Sequence, residues 1–241
     1  RPPGIDRRKS LTLPSYPPLD YSPPGMKPLS ECRLYTFVDT AFLGGRSVEA
    51  VARQLCEGGS DLIQLRAKTS APDEVRQMAA ALLPIAARAN MGLVINDYPQ
   101  IAADTGAPLC HLGQEDFLNA KYTHVRQIAP ANVHLKIGLS THTPAQAERA
   151  LSAGADYIAV GPVYRTATKP TAQPVTLEYV RWAARHVPIP WFAIGGITLE
   201  NIGEVLAAGA TRICVVSAIL KAPDIAEACR LFKKHLTSSP L

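Results

Sequence analysis

Short apolar runs recur along the chain from Arg33 onward, and longer polar or amphipathic stretches separate them. The runs are rich in Val, Ile and Leu and do not alternate cleanly with polar residues, which is typical of parallel strands covered on both faces. They predict eight strands, at residues 34–38, 62–65, 93–95, 109–111, 135–139, 157–160, 191–194 and 212–216.

Apolar residues spaced three and four apart predict helices between these strands, with Ser47 as the N-cap of the first. The predicted helices cover residues 47–56, 73–89, 143–151, 177–185, 198–207 and 224–236. Alternation of eight strands with helices predicts an α/β fold, a single (β/α)8 TIM barrel. A doubly wound open sheet is the alternative, but no Gly-x-Gly-x-x-Gly follows the first strand.

The N-terminal stretch has a different composition, because residues 1–30 hold eight of the 21 prolines. Proline removes backbone donors and favours an extended chain. We therefore predict a Pro-rich extension at residues 1–30, extended or disordered, and a barrel domain at residues 31–238. A proline-rich ligand for a partner protein is a less favoured function of the extension.

Charge and cysteine content narrow the possible partners and the location. The net charge is +5, but the chain has no cationic block beyond residues 7–9 and no aromatic residues among its cations, so we expect no nucleic-acid partner. No apolar run approaches the ~20 residues of a membrane span, so we expect no membrane partner. The five cysteines lack paired zinc-type spacing and suggest a reducing compartment, hence a cytoplasmic location.

Polar residues follow the predicted strands at equivalent places. In a barrel, the C-terminal ends of the strands share one face, where active sites lie. We therefore expect one rim to bring together Gln64, Arg66, Lys68, Asn96, Asp97, Asp116, Ser140, Thr166, Thr168 and Lys169.

The residues after the second predicted strand suit an anion. Gln64, Arg66 and Lys68 share the same parity, so they point to one side of the strand and its exit. Arg66 can grip two phosphate oxygens, and Lys68 adds a mobile point charge. The pair predicts a diphosphate clamp, with a solvated loop pair as the alternative.

Two carboxylates at neighbouring strand ends are candidate metal ligands. Magnesium typically binds one or two carboxylates together with substrate phosphates and waters, which favours Asp97 with Asp116. Glu115 is interpreted as a helix-start residue stabilised by the helix dipole. Taken alone, Asn96 with Asp97 would be a turn or helix cap, which both residue types favour.

The last strands predict a second anion site. Barrels often bind phosphate with backbone amides after strands seven and eight, and Gly196 would permit close approach of the backbone. Val216 and Ser217 follow at strand eight. A tight strand-to-helix turn is the alternative interpretation of the glycines.

These motifs together resemble the thiamine-phosphate synthase family, also called thiamine-phosphate pyrophosphorylase, from about Arg33 to Leu236. The residues that carry the resemblance are 64–68, 95–97, 111–116, 138–143, 161–162, 166–169, 195–198 and 216–218. The resemblance implies a Mg2+-dependent transferase. It would join 4-amino-2-methyl-5-(diphosphooxymethyl)pyrimidine, a hydroxymethylpyrimidine diphosphate, to a thiazole phosphate, giving thiamine phosphate and pyrophosphate by a dissociative carbocation mechanism.

The resemblance also implies roles for individual residues. The metal would lie at Asp97 and Asp116, and the catalytic residues would be Arg66, Lys68, Ser140 and Lys169. The pyrimidine diphosphate would contact Gln64, Arg66, Lys68, Asn96, Ser140 and Lys169. The thiazole phosphate would contact Thr166, Thr168, Gly196, Val216 and Ser217.

One position departs from the family pattern, and two other functions compete. Ala67 replaces a common Glu, but strand parity directs it away from the site. A thiazole tautomerase-like barrel would not need the full set of cations and carboxylates, and a non-catalytic phosphate-binding barrel would show no turnover. We expect small-molecule substrates as partners, with a homo-oligomer possible.

Overall fold

Eight parallel strands close into a barrel in sequence order in the computed structural model, which describes residues 26–129, 132, 134–166 and 173–237. The predicted (β/α)8 fold is confirmed. The strands are β1 (Leu34–Asp39), β2 (Leu62–Arg66), β3 (Gly92–Asn96), β4 (Leu109–Leu112), β5 (Lys136–Thr141), β6 (Tyr157–Val160), β7 (Trp191–Ile194) and β8 (Ile213–Cys214).

Helices cover the outside of the barrel, and hydroxyl side chains cap two of them. Ser47 Oγ accepts the Ala50 N–H at 3.1 Å, and Thr143 Oγ1 accepts the Gln146 N–H at 3.2 Å. The helices are α1 (Val48–Glu57), α2 (Pro72–Arg88), α3 (Pro99–Thr105), α4 (Gln114–Asn119), α5 (Pro144–Ser152), α6 (Thr176–His186), α7 (Ile202–Ala207), α8 (Ser217–Leu220) and α9 (Ile225–Thr237).

Two elements are shorter than predicted. Helix α7 begins at Ile202 rather than at 198, because residues 198–201 form a turn in which the Thr198 N–H donates to Asn201 Oδ1 at 2.8 Å. Strand β8 contains only Ile213 and Cys214, which pair with β1 and β7 and complete the barrel.

Aromatic rings fill the interior of the barrel beneath its C-terminal face. Tyr35 packs edge-on against Phe192 with ring centroids 5.3 Å apart, and Tyr157 packs edge-on against Phe192 at 5.9 Å. Phe37 stacks on Tyr35 at 5.4 Å. Such rings bury large areas, so the interior of the barrel at this level is a packed core.

A buried carboxylate joins the two ends of the described chain at the opposite face. Asp61 accepts hydrogen bonds from the backbone N–H groups of Arg33 and Leu34, both at 2.9 Å, and also contacts the ammonium groups of Lys27 and Lys233. Residues 26–30 thus lie against the barrel, whereas residues 1–25 of the predicted extension lie outside the described residues. Among the helices described, none is long and apolar enough to cross a membrane.

Candidate active site

A cavity of about 110 Å³ opens at the C-terminal ends of the strands. Residues from different βα units line it because each strand delivers its last side chains to this face. Eight of the predicted site residues line the cavity: Gln64, Arg66, Asn96, Ser140, Thr166, Gly196, Val216 and Ser217.

A buried aspartate holds the first cation of the predicted clamp. Arg66 Nη1 lies 2.7 Å from Asp39 Oδ2, and Asp39 is only 1% exposed. The same carboxylate accepts the Ala41 N–H at 3.0 Å through Oδ1, so the loop after β1 fixes its orientation. A charge-assisted hydrogen bond is roughly twice as strong as a neutral one, so this contact helps to orient the guanidinium.

The second cation is paired with one of the predicted metal ligands. Lys68 donates to Asp97 Oδ2, and Asn96 Nδ2 donates to the same oxygen at 2.7 Å. Asp97 has a left-handed backbone with φ of +64°, and its N–H donates to His111 O at 2.9 Å. The carboxylate therefore lies where β3 and β4 end, between a cation and a residue that lines the cavity.

The other predicted metal ligand, Asp116, lies in the first turn of α4 and does not line the cavity. Its carboxylate folds back over Gly113, where an added Cβ would approach Oδ2 to 2.7 Å. The residue is thus held at the end of β4, next to the end of β3 that carries Asp97. Glu115 lies in the same first turn, as predicted.

These two carboxylates fit a metal that arrives with its substrate. Within the described ranges, no group of three or more His, Cys, Asp or Glu side chains could hold a metal ion by itself. Magnesium does not need such a group, because it commonly uses one or two carboxylates plus phosphate oxygens and waters. The donor set of Asp97 and Asp116 is therefore consistent with Mg2+.

The opposite side of the cavity is built from backbone. Gly195 and Gly196 have φ values of +105° and +64°, which side chains rarely adopt. An added Cβ on Gly196 would lie 2.5 Å from Arg165 O and 2.8 Å from Tyr164 Cβ, so the loop after β6 packs directly on this glycine. Ser217 begins α8 beside them.

A row of hydrogen-bonded side chains lies at the floor of the cavity, and all of them except Tyr157 line it. Gln64 Nε2 donates to Tyr35 Oη at 2.6 Å, Tyr35 Oη lies 3.3 Å from Tyr157 Oη, and Tyr157 Oη lies 3.3 Å from His111 Nδ1. His111 Nε2 lies 2.9 Å from Ser140 Oγ. Burial raises the pKa of Tyr35 and of Tyr157 well above the usual value of 10.0, so both phenols stay protonated.

Two of the predicted site residues lie outside the part of the chain that the structure describes. Other residues at the site were not predicted from the sequence. Thr168 and Lys169 lie outside the described residues. Asp39 was missed although it follows the apolar run of β1 just as Asn96 follows that of β3. His111 is buried in β4, within the predicted fourth strand, and it also lines the cavity together with Tyr35.

The barrel and its rim define a (β/α)8 protein with a cavity at the C-terminal ends of its strands that polar and cationic side chains line, and comparisons with known proteins identify the family. The sequence matches the thiamine monophosphate synthase family over residues 34–219. A thiamine-phosphate synthase of Halalkalibacterium halodurans is 40% identical over 209 residues, covering 86% of this chain and 97% of that protein. One from Thermus thermophilus is 42% identical over 196 residues, covering 80% and 92%.

A solved structure supports the same assignment. Thiamine phosphate pyrophosphorylase from Pyrococcus furiosus superposes with a TM-score of 0.77 at 29% identity, covering 87% of this chain and 98% of that chain. The barrel of 3-hexulose-6-phosphate synthase, with a TM-score of 0.58 at 18% identity, shares the fold alone. The chain belongs to the thiamine-phosphate synthase family, a family of transferases, and this prediction is confirmed.

Proposed function

We propose that the protein is a thiamine-phosphate synthase, which joins a hydroxymethylpyrimidine diphosphate to a thiazole phosphate and releases pyrophosphate. The main support is that eight residues of the predicted site line one and the same cavity. Family membership adds the reaction class.

The two substrates would occupy different sides of the cavity in this proposal. The pyrimidine diphosphate would lie at the cationic side, on Gln64, Arg66, Lys68, Asn96, Ser140 and Lys169. The thiazole phosphate would lie at the backbone side, on Thr166, Thr168, Gly196, Val216 and Ser217. Separate binding sites for the two anionic substrates suit a reaction that forms a bond between them.

In the proposed reaction, the bond between the pyrimidine methylene carbon and the diphosphate oxygen breaks first. Pyrophosphate takes the electron pair, and the thiazole nitrogen then attacks the resulting carbocation. Arg66, Lys68 and Lys169 would stabilise the negative charge that develops on the leaving group, which accounts for catalysis without a general base. Ser140 would orient the same substrate.

Magnesium would be held by Asp97 and Asp116 in this proposal, and would supply further stabilisation of charge on the diphosphate. Lys68 and Asn96 hold one of the two carboxylates through its Oδ2. A cytoplasmic location agrees with five cysteines that are all free. A homo-oligomer remains compatible with this function.

Pyrophosphate release from the purified protein tests the proposal. The protein would receive each substrate alone and both together, with magnesium or with a chelator. Release that needs both substrates and metal is the expected result. No release despite binding of the thiazole phosphate would overturn the proposal in favour of a tautomerase-like or non-catalytic barrel.

A further inference from the structure

The hydrogen-bonded side chains on the cavity floor form one continuous series from β2 to β5. We call Gln64, Tyr35, Tyr157, His111 and Ser140 the polar chain. Its two ends, Gln64 and Ser140, both line the cavity, and its outer links are 2.6 and 2.9 Å long. The two inner links, through Tyr157, are each 3.3 Å.

Burial makes these links obligatory for the two phenols. Tyr35 is 1% exposed and Tyr157 is 0% exposed, so neither hydroxyl can turn to solvent. An unsatisfied buried hydroxyl costs about 1–3 kcal/mol, which disfavours any arrangement that leaves one hydrogen without an acceptor. Among the described side chains, only Arg212 Nε is buried without a partner, so both phenols count as satisfied.

The position of the central ring is also fixed. Gly138 of β5 lies opposite Tyr157 of β6 in the strand register. A Cβ on Gly138 would come within 2.0 Å of the Tyr157 ring, so the ring occupies the space that a side chain on β5 would take. Phe192 packs on its other side as an edge-to-face neighbour. Tyr157 therefore cannot swing away from the polar chain.

Gln64 sets the direction of the hydrogen bonds. Its Nε2 can only donate, so Tyr35 Oη accepts and directs its own hydrogen to Tyr157 Oη. Tyr157 in turn donates to His111 Nδ1, because otherwise its hydrogen would have no acceptor. A neutral imidazole that accepts at Nδ1 carries its proton on Nε2, which then donates to Ser140 Oγ.

We propose that the polar chain fixes His111 as the Nε2–H tautomer and thereby makes Ser140 a hydrogen-bond donor toward the substrate. With Oγ already accepting from His111, the Ser140 hydrogen is directed to an acceptor atom of the bound pyrimidine diphosphate. Tyr35, Tyr157 and His111 are positioning residues in this scheme. The identity of that substrate rests on the proposed function.

The tautomer can be measured in the protein without substrate. Nitrogen NMR of ¹⁵N-histidine-labelled protein distinguishes protonated from unprotonated ring nitrogens, and a His111→Gln sample assigns the signals. The expected state of His111 is protonated Nε2 and unprotonated Nδ1. A proton on Nδ1 instead would overturn the proposal.

A single substitution should reverse the direction of the hydrogen bonds along the polar chain. Gln64→Glu replaces the donor by a carboxylate that only accepts, so Tyr35 must donate to it and each later bond turns round. The proton of His111 should then move to Nδ1, with Ser140 donating to Nε2. An unchanged tautomer in this variant would contradict the idea that Gln64 sets the direction.

Kinetics provide a second readout with a matched control. Tyr157→Phe interrupts the polar chain, and the KM for the pyrimidine diphosphate should rise about 3- to 10-fold, as for one lost hydrogen bond, while the KM for the thiazole phosphate stays unchanged. Tyr179→Phe is the control, because that buried phenol donates to Thr141 Oγ1 at 2.7 Å outside the polar chain. Equal effects of the two variants would refute a positioning role.

The NMR result does not depend on turnover. If the protein released no pyrophosphate, the proposed function would fail, yet the tautomer of His111 would still decide whether the polar chain has a fixed direction. If turnover occurred with the opposite tautomer, the polar chain proposal alone would fail.

Discussion

Asp39 and Arg66 lie opposite each other at the C-terminal ends of β1 and β2, joined by a hydrogen bond of 2.7 Å. The aspartate is buried, whereas the arginine also lines the cavity. The pair therefore holds a cation on the rim before any substrate arrives. An oriented cation is worth more than a mobile one, because no side-chain freedom has to be lost when the anion binds.

Removal of the charge on Asp39 should allow the Arg66 guanidinium to move more freely. Asp39→Asn weakens a hydrogen bond to a charged group, worth about 1.5–3 kcal/mol, so the KM for the pyrimidine diphosphate should rise roughly tenfold. Steady-state kinetics with each substrate varied would measure it. Asp104→Asn is the control, because it removes an exposed ion pair with Arg76 and neither of these residues lines the cavity. A KM equal to that of the control would rule out the orienting role.

A methyl group on Gly196 should weaken binding of the thiazole phosphate. Gly196→Ala places a Cβ 2.5 Å from Arg165 O at a φ of +64°, so the loop after β6 must move. We expect a higher KM for the thiazole phosphate, with the other KM less affected. Gly203→Ala in α7 meets nothing within 4 Å and should leave both values unchanged. Equal kinetics in the two variants would argue against a phosphate site at Gly196.

Loss of either predicted metal ligand should lower turnover. For Asp97→Asn or Asp116→Asn we expect a loss of roughly 10²-fold or more, because metal-bridged charge stabilisation contributes several kcal/mol. Pyrophosphate release at saturating substrates over a range of magnesium concentrations would measure it. Glu115→Gln, in the same helical turn, should behave like the wild type. Near-normal turnover of either aspartate variant would remove that residue from the metal site.

Acid should weaken the barrel through Asp61. Burial raises the pKa of this carboxyl, but hydrogen bonds from the Leu34 N–H, Lys233, Lys27 and the Arg33 N–H outweigh burial and lower it below 3.8. Because the folded pKa is the lower one, its contribution is complete above the unfolded pKa and is lost as pH falls through the folded pKa.

Urea unfolding at several pH values can isolate this contribution. The wild type should exceed Asp61→Asn in free energy of unfolding by a constant amount above about pH 5, and the difference should shrink below about pH 4. Glu57→Gln, which removes an exposed carboxylate paired with Arg230, should show no such trend. A difference that stayed constant down to the lowest pH would contradict the assignment.

The strands could be predicted because burial on both faces imposes short, continuous apolar runs. The helices with wide apolar faces were predicted from apolar residues spaced three and four apart, but α3 and α8 were not predicted, and for α4 only its start was indicated, by Glu115. These three have only seven, six and four residues, too few for a repeating pattern. Strand β8 was predicted too long, since Val215 and Val216 are apolar but lie beyond its last residue, Cys214.

The rim could be predicted from polar residues after strands, but the floor of the cavity could not. Tyr35, His111 and Tyr157 lie within the apolar runs, and their sequence neighbours give no sign that their side chains meet. Only closure of the barrel joins strands one, four and six. The same rule that located Asn96 would have located Asp39, had it been applied to the first strand.

The carboxylate at the base of the barrel also bears on how the chain folds as it is made. Asp61 leaves the ribosome early, but Lys233 follows 172 residues later. Strand β1 likewise has no second neighbour until β8 emerges. Until then, a growing chain exposes an open sheet edge, which is prone to wrong pairings. Productive closure of this barrel therefore awaits the synthesis of β8, and the contact between Asp61 and Lys233 of α9 forms later still.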